Sequence, residues 1–107
     1  MKDKNKIMYD LKQELVKHLG DGLKSVILFG SHAWGSPSVS SDYDILIVLK
    51  NVYDWKTERL ISNICYAIDL KYDVLTDTHI LSDYELHHTI KGADPIFVNA
   101  LKKGLYA

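Results

Sequence analysis

Val26-Ile-Leu-Phe-Gly-Ser-His-Ala-Trp-Gly-Ser-Pro-Ser-Val-Ser-Ser-Asp-Tyr-Asp-Ile-Leu-Ile-Val-Leu49 sets two apolar runs on either side of a polar loop rich in glycine and serine. The first run ends in Gly30-Ser31 and the second begins with Asp42-Tyr43-Asp44. Residues 26–29 and 45–49 are built from Val, Ile, Leu and Phe. They are too short for free-standing helices and are bounded by turn formers, so each reads as a buried strand. Side chains alternate along a strand, which puts Asp42 and Asp44 on one face and Tyr43 on the other. Two carboxylates at that spacing, opposite a Gly-Ser turn, repel each other unless a cation lies between them. The pattern predicts a metal-dependent phosphate site.

The rest of the chain is scaled to one domain. At 107 residues, 47% hydrophobic and 25% charged, it has the composition of a globular protein with a single modest core. A formal net charge of −1 lacks the cationic excess of an extended nucleic-acid surface. It leaves room for a single nucleotide whose charge is met by metal ions. One cysteine, Cys65, excludes an internal disulfide or a cysteine-based zinc cluster and suits a reducing compartment. The basic start, Met1 to Lys6, has no apolar region behind it, and no apolar run approaches a membrane span. A cytoplasmic domain that touches no membrane is expected.

On the N-terminal side, Ile7, Leu11, Leu15 and Leu19 recur at intervals of four, with Met8 and Val16 widening the stripe. Residues 3–19 therefore read as an amphipathic helix stopped by Gly20 and Gly22. Lys24 to Phe29 is apolar on both faces and should lie centrally in a covered sheet. Ser31 to Trp34 reads as one turn of helix, and Gly35 to Ser41 as an exposed loop in which Pro37 opposes a longer helix. On the C-terminal side, Asp42 to Lys50 is the second strand. Asp54 then caps a helix to about Leu70 whose buried stripe includes Leu60, Ile64, Ala67 and Ile68. Lys71 to Thr76 reads as a third strand. Ser82-Asp83-Tyr84-Glu85 has the spacing of a capping box, predicting a short helix to about Ile90 that Lys91-Gly92-Ala93 breaks. Asp94-Pro95 opens a last helix, ended by Gly104. The order predicts a single α/β domain over residues 1–107, a small mixed sheet flanked by helices.

Asp73 sits in the middle of the expected third strand and is the candidate third carboxylate. Asp69, four residues earlier, takes its place if the strand starts sooner, and Asp77 reads as a turn former. Two divalent ions roughly 3.5–4 Å apart, bridged by such carboxylates, bind a triphosphate and lower the pKa of an attacking hydroxyl. Phosphoryl and nucleotidyl transfer ask a protein mainly for positioning and charge neutralisation. Gly30 lets a phosphate approach the backbone, and the Ser31 hydroxyl and N–H would hold terminal phosphates.

Gly30-Ser31, ten intervening residues and Asp42-x-Asp44 before an apolar strand resemble the DNA polymerase β-like nucleotidyltransferase superfamily, and the short length resembles its minimal nucleotidyltransferase group. The resemblance runs from Val26 to Thr76, and the stretch Pro95 to Ala100 is similar to the tail of small stand-alone members. It implies the polymerase β-like fold and transfer of a nucleoside monophosphate, usually AMP from ATP, with release of pyrophosphate. By position, Gly30 and Ser31 would bind the nucleotide. Asp42 and Asp44 would ligate two Mg²⁺ ions, and Asp73 would complete one metal site and act as base or orient the acceptor hydroxyl. Many minimal members are antitoxins paired with a small helical HEPN-domain toxin, and some add AMP to a tyrosine of it. A protein partner of that kind, or a homo-oligomer, is expected because the chain is too short for a substantial acceptor-binding domain of its own.

One departure stands out. Antitoxin-type members carry arginine in the loop near the places held here by Trp34 and Val39, whereas no Lys or Arg lies between Gly30 and Asp42. Arginine is the usual bidentate phosphate ligand, so its absence favours an alternative in which a weakened enzyme neutralises a partner by contact. Adenylation of a small molecule is a third reading, disfavoured because such relatives use an additional helical domain. His79, His87 and His88 read as surface histidines, since neighbours on a helix do not share a face. Trp34 either stacks on a base or packs the loop, and Cys65 reads as core.

Overall fold

In the computed structural model, which describes residues 3–34, 42–88 and 93–107, the element order is α1 (Lys4–Leu19), a 3-10 turn, β1 (Leu23–Phe29), α2 (Ser31–Trp34), β2 (Tyr43–Leu49), α3 (Trp55–Tyr72), β3 (Thr76–Ser82), α4 (Asp83–His88), α5 (Pro95–Lys103) and β4 (Leu105–Tyr106). The expected loop at 35–41, the expected helix end at Ile90 and the first two residues of the expected break, Lys91-Gly92, lie outside the described residues. Local chemistry explains most boundaries. The Asp3 carboxylate accepts from the N–H groups of Asn5 and Lys6 to start α1, and Asp54 accepts from the Thr57 N–H to start α3. Ser82 and Glu85 bond reciprocally at 3.0 and 3.1 Å, the capping box that opens α4. Asp94 caps α5, with Pro95 in its first turn.

The strands form one mixed sheet in the order β3-β2-β1-β4. β1 runs antiparallel to β2 and to β4, while β2 and β3 are parallel, joined by α3 as the crossover. β1 and β2 are therefore interior, as their two-sided apolar sequence requires. One face of the sheet presents Val26, Leu28, Ile45 and Ile47 to Ile7, Leu11 and Leu15 of α1 and to Ile61, Ile64, Cys65 and Ile68 of α3. The other presents Ile27, Phe29, Leu46, Val48 and Leu81 to Ala100, Phe97 and Leu101 of α5 and to Leu86 of α4. Each fully buried aliphatic side chain in these layers stabilises the fold by about 1.5–3 kcal/mol. Where α5 ends, Gly104 lies so close to β1 that a Cβ there would overlap the Ile27 side chain. The α/β class and mixed sheet match the sequence expectation.

Three local expectations are corrected. Val16 faces solvent, because the buried stripe of α1 is confined to Ile7, Met8, Leu11 and Leu15. The α3 stripe is rotated: Ile61 and Cys65 are buried, Leu60 is partly buried and Ala67 is exposed. The third correction bears on function. No strand runs from Lys71 to Thr76, because α3 continues to Tyr72 and Asp73 ends it in a left-handed conformation (φ 53°, ψ 53°). Asp is among the few residues that tolerate that region. The strand begins three residues later, at Thr76.

Candidate active site

Because β1 is antiparallel to β2 and β3 is parallel to it, the end of β1 and the starts of β2 and β3 meet at one edge of the sheet. The register pairs Phe29 with Asp44 and Asp44 with Asp77. Side-chain alternation then puts Asp44, Asp77 and His79 on the face shared with Phe29 and α5. Tyr43 points the other way, where the His32 ring stacks on it at 3.8 Å between centroids and 13° between planes. That stack pins α2 to β2, with the Ala33 N–H bonded to the Gly30 carbonyl at 3.1 Å.

The Gly-Ser turn and the carboxylates are in direct contact. Gly30 has φ +76°, and a Cβ built there would overlap the Asp44 carboxylate. Glycine is required at this position twice over, for its backbone conformation and to make room for Asp44. Asp44 is half-buried, and its carboxyl is held above the usual range, first by burial and next by the charge of Asp77. Asp42 adds to the shift and His79 opposes it. Ionised Asp44 is thus disfavoured by its surroundings, a balance that a cation would reverse.

His79 is held in place by two rings, with Phe29 at 5.9 Å and Phe97 at 5.5 Å. Its Nε2 lies 3.6 Å from the Asp77 carboxylate. Beside it, an open cleft of about 570 Å³ follows β3, lined also by Thr78, Phe97 and Asp94.

Of the residues singled out in the sequence, Gly30, Ser31, Asp42 and Asp44 lie at this edge. Asp73 does not join them: it is exposed at the end of α3, and it is not among the groups that act on Asp44. Asp69 is not the replacement. Its carboxylate accepts from the Thr76 N–H at 3.1 Å and from the Thr76 hydroxyl at 2.8 Å, fixing the entry to β3. The carboxylate opposite Asp44 is Asp77, read from the sequence as a turn former. Alternation could have found it, since Thr76-x-Thr78-x-Ile80 sets one face of a strand whose other face is Asp77, His79 and Leu81.

The donor set fits a magnesium ion. Carboxylate oxygens are the hard ligands it takes, usually one or two carboxylates with the remaining positions filled by water and substrate phosphate. The side chains as they stand are not closed around such an ion: among the described residues no three His, Cys, Asp or Glu groups form a metal-holding cluster. Asp42 is exposed, and it acts on Asp44 through charge.

Residues 9–101 match the family described as Polymerase beta, Nucleotidyltransferase. A Methanocaldococcus jannaschii protein named protein adenylyltransferase MJ0141 is 39% identical over 69 residues, covering 64% of this chain and 70% of its own length. A second from the same organism, named protein adenylyltransferase MJ1305, is 27% identical over 99 residues, covering 91% of this chain and 66% of its own. A crystal structure of a mutant of the toxin-antitoxin MntA-HpeT shares the fold, with a TM-score of 0.56 and 16% identity over 97% of this chain and 71% of that one.

Proposed function

The chain belongs to the polymerase β family of nucleotidyltransferase enzymes, and from that premise we propose that it transfers AMP from ATP to a hydroxyl group of a protein acceptor. The observation that carries the reading is the β2–β3 register, which sets Asp77 beside Asp44 against Gly30. Gly30 and Ser31 bind the triphosphate, the glycine by close backbone approach and the serine through its N–H and hydroxyl. Asp42, Asp44 and Asp77 are the residues that would hold the divalent metal, with Asp77 in the role the sequence assigned to Asp73. When bound, Mg²⁺ neutralises the triphosphate and lowers the pKa of the attacking hydroxyl. The hydroxyl oxygen bonds to the α-phosphorus, the bond to the bridging oxygen breaks, and pyrophosphate leaves while the proton passes to a carboxylate. His79, held between Phe29 and Phe97, keeps Asp77 turned toward the sheet edge. The cleft beside His79 is the approach for the acceptor.

The protein acceptor is proposed from the names of the two archaeal relatives, and the partner from the toxin-antitoxin context of the structural neighbour. A small helical toxin of the HEPN type fits both, which would make this chain its antitoxin. Two observations favour a second reading, neutralisation by contact alone: the loop before Asp42 has no Lys or Arg, and the three carboxylates are not closed into a metal cluster.

Calorimetric titration of ATP, with and without Mg²⁺, into the wild type and Asp44→Asn separates the two. Transfer requires Mg²⁺-dependent binding that the variant loses. A folded wild type that binds no ATP in Mg²⁺ overturns the transferase reading and leaves contact.

A further inference from the structure

The outer face of α3, opposite the buried Ile61, Ile64 and Ile68, carries Trp55, Arg59, Ser62, Tyr66 and Leu70 in a single stripe. Their spacing of three or four residues keeps them in line along the helix. Trp55, Tyr66 and Leu70 are 65%, 63% and 67% exposed, which is unusual for three large apolar side chains on one helix. Val52 and Leu75, just beyond the two ends of α3, are 73% and 65% exposed. Arg59 is the only arginine in the chain, and among the described residues it makes no hydrogen bond or ion pair. Trp, Tyr and Arg are the residue types that dominate binding energy in protein interfaces.

The order of these residues identifies the occupant. Trp55 and Leu70 lie at equal distances on either side of the point between Ser62 and Asn63, about 11 Å at 1.5 Å rise per residue. Arg59 and Tyr66 also lie at equal distances from it, about 5 Å. A stripe with that symmetry is complementary to its own copy run in the opposite direction. We propose that α3 is the face on which a second copy of this chain docks, antiparallel, about a two-fold axis through the Ser62–Asn63 step.

Trp55 of each copy then covers Leu70 of the other. Arg59 of each copy lies over the Tyr66 ring of the other, a cation–π pair made twice. Ser62, with its short side chain, lets the helices approach closely at the axis. An isologous contact of this kind closes on itself and stops at two copies. The stripe is on the far side of the sheet from Asp44 and Asp77, but Ser62 at its centre also lines the cleft beside His79, so the second copy borders that cleft while the carboxylates stay uncovered. The proposal is tested by self-association alone and does not depend on the transfer reading. One helix face is a small interface, and it predicts dissociation on the order of tens of micromolar rather than nanomolar.

Sedimentation velocity on the wild type across that concentration range should show a monomer–dimer equilibrium. Tyr66→Ala should weaken it about tenfold or more, the loss expected of a central aromatic anchor. Arg59→Glu should do the same, and Arg59→Glu combined with Tyr66→Lys should restore dimerisation. Across the axis the introduced carboxylate faces the introduced ammonium, whereas within one helix the two positions are two turns apart and cannot meet. Circular dichroism confirms that each variant folds. A wild type that stays monomeric at about 1 mM overturns the proposal, as does a dimer indifferent to Tyr66→Ala or a double variant no tighter than Arg59→Glu.

Discussion

Asp44 and Gly30 show how closely one residue choice constrains another. A side chain on Gly30 would take the space of the Asp44 carboxylate, so the Gly-Ser turn is shaped by the acid as well as by the phosphate it is proposed to hold. The acid in turn is disfavoured in its ionised form by burial and by Asp77. Asp77 and Asp73 are four residues apart and chemically identical, yet one lies on β3 across from Asp44 and the other ends α3. Their Asn variants separate position from chemistry, since Asn keeps the size and removes the charge. Asp77→Asn is expected to weaken Mg²⁺-dependent ATP binding at least about 100-fold, because even outer partners of metal ligands cost 10–100-fold. Asp73→Asn should leave that affinity within about twofold, Asn being equally at home in a left-handed cap. Calorimetry on both variants decides it; equal losses from the two would return Asp73 to the site.

β3 is the element on which the site depends and the one least well marked in the sequence. Among the described residues it is an edge strand, paired on one side only, and side chains occupy backbone groups along it. Asp69 accepts from the Thr76 N–H, Tyr53 donates to the Ile80 carbonyl at 3.0 Å and Glu85 accepts from the Ser82 N–H. These bonds fix where β3 begins and ends, and they blunt an edge that would otherwise invite pairing with another chain. Tyr53→Phe removes the middle one and should cost about 1 kcal/mol. It also has a signature in pH. Burial and Glu85 push the Tyr53 phenol up to about 12, so its contribution is present below the ordinary tyrosine value of 10.0 and is lost as pH rises through 12. Urea midpoints from about pH 9 to 11.5 should therefore fall more steeply in the wild type than in Tyr53→Phe; parallel curves would show that the phenol is not held. The strands β1 and β2 were legible because buried strands advertise themselves as apolar runs, α1 and α5 because their caps and stops are local, and the start of α4 because its capping box is local. β3 was not, because its functional face replaces apolar residues with Asp77 and His79, so that Asp77 reads as a turn former and His79 as a surface histidine. The apolar Tyr72-x-Val74-Leu75 before it mimics the missing strand. β4, two residues long, carries no periodicity at all.

At the scale of the whole molecule, the sheet is held between two helical layers whose apolar contacts carry the stability and whose charges tie distant segments together. Asp10 of α1 accepts from the Tyr72 hydroxyl and, at 3.0 Å, from Lys71, joining the two long helices across sixty residues of chain. Lys24 at the start of β1 meets Asp83 at the start of α4 at 2.6 Å, joining the sheet to its other helical layer. Both carboxyls lie below their usual value, Asp10 through the Tyr72 hydroxyl first and Lys71 next, Asp83 through Lys24. A carboxyl depressed in the folded state contributes stability that is present above the unfolded value and disappears as pH falls through the folded one. These ties should therefore loosen below about pH 4, where unfolded carboxylates begin to take up protons. They are exposed, so each is worth little singly and salt should weaken them. The urea midpoint is accordingly expected to drop between about pH 5 and pH 3, less steeply in Asp10→Asn, which has no charge there to lose. About 1 M NaCl should bring the two curves together by screening the lysine partner. A variant whose acid limb follows the wild type at low salt would show that the link between α1 and α3 rests on their apolar contacts alone.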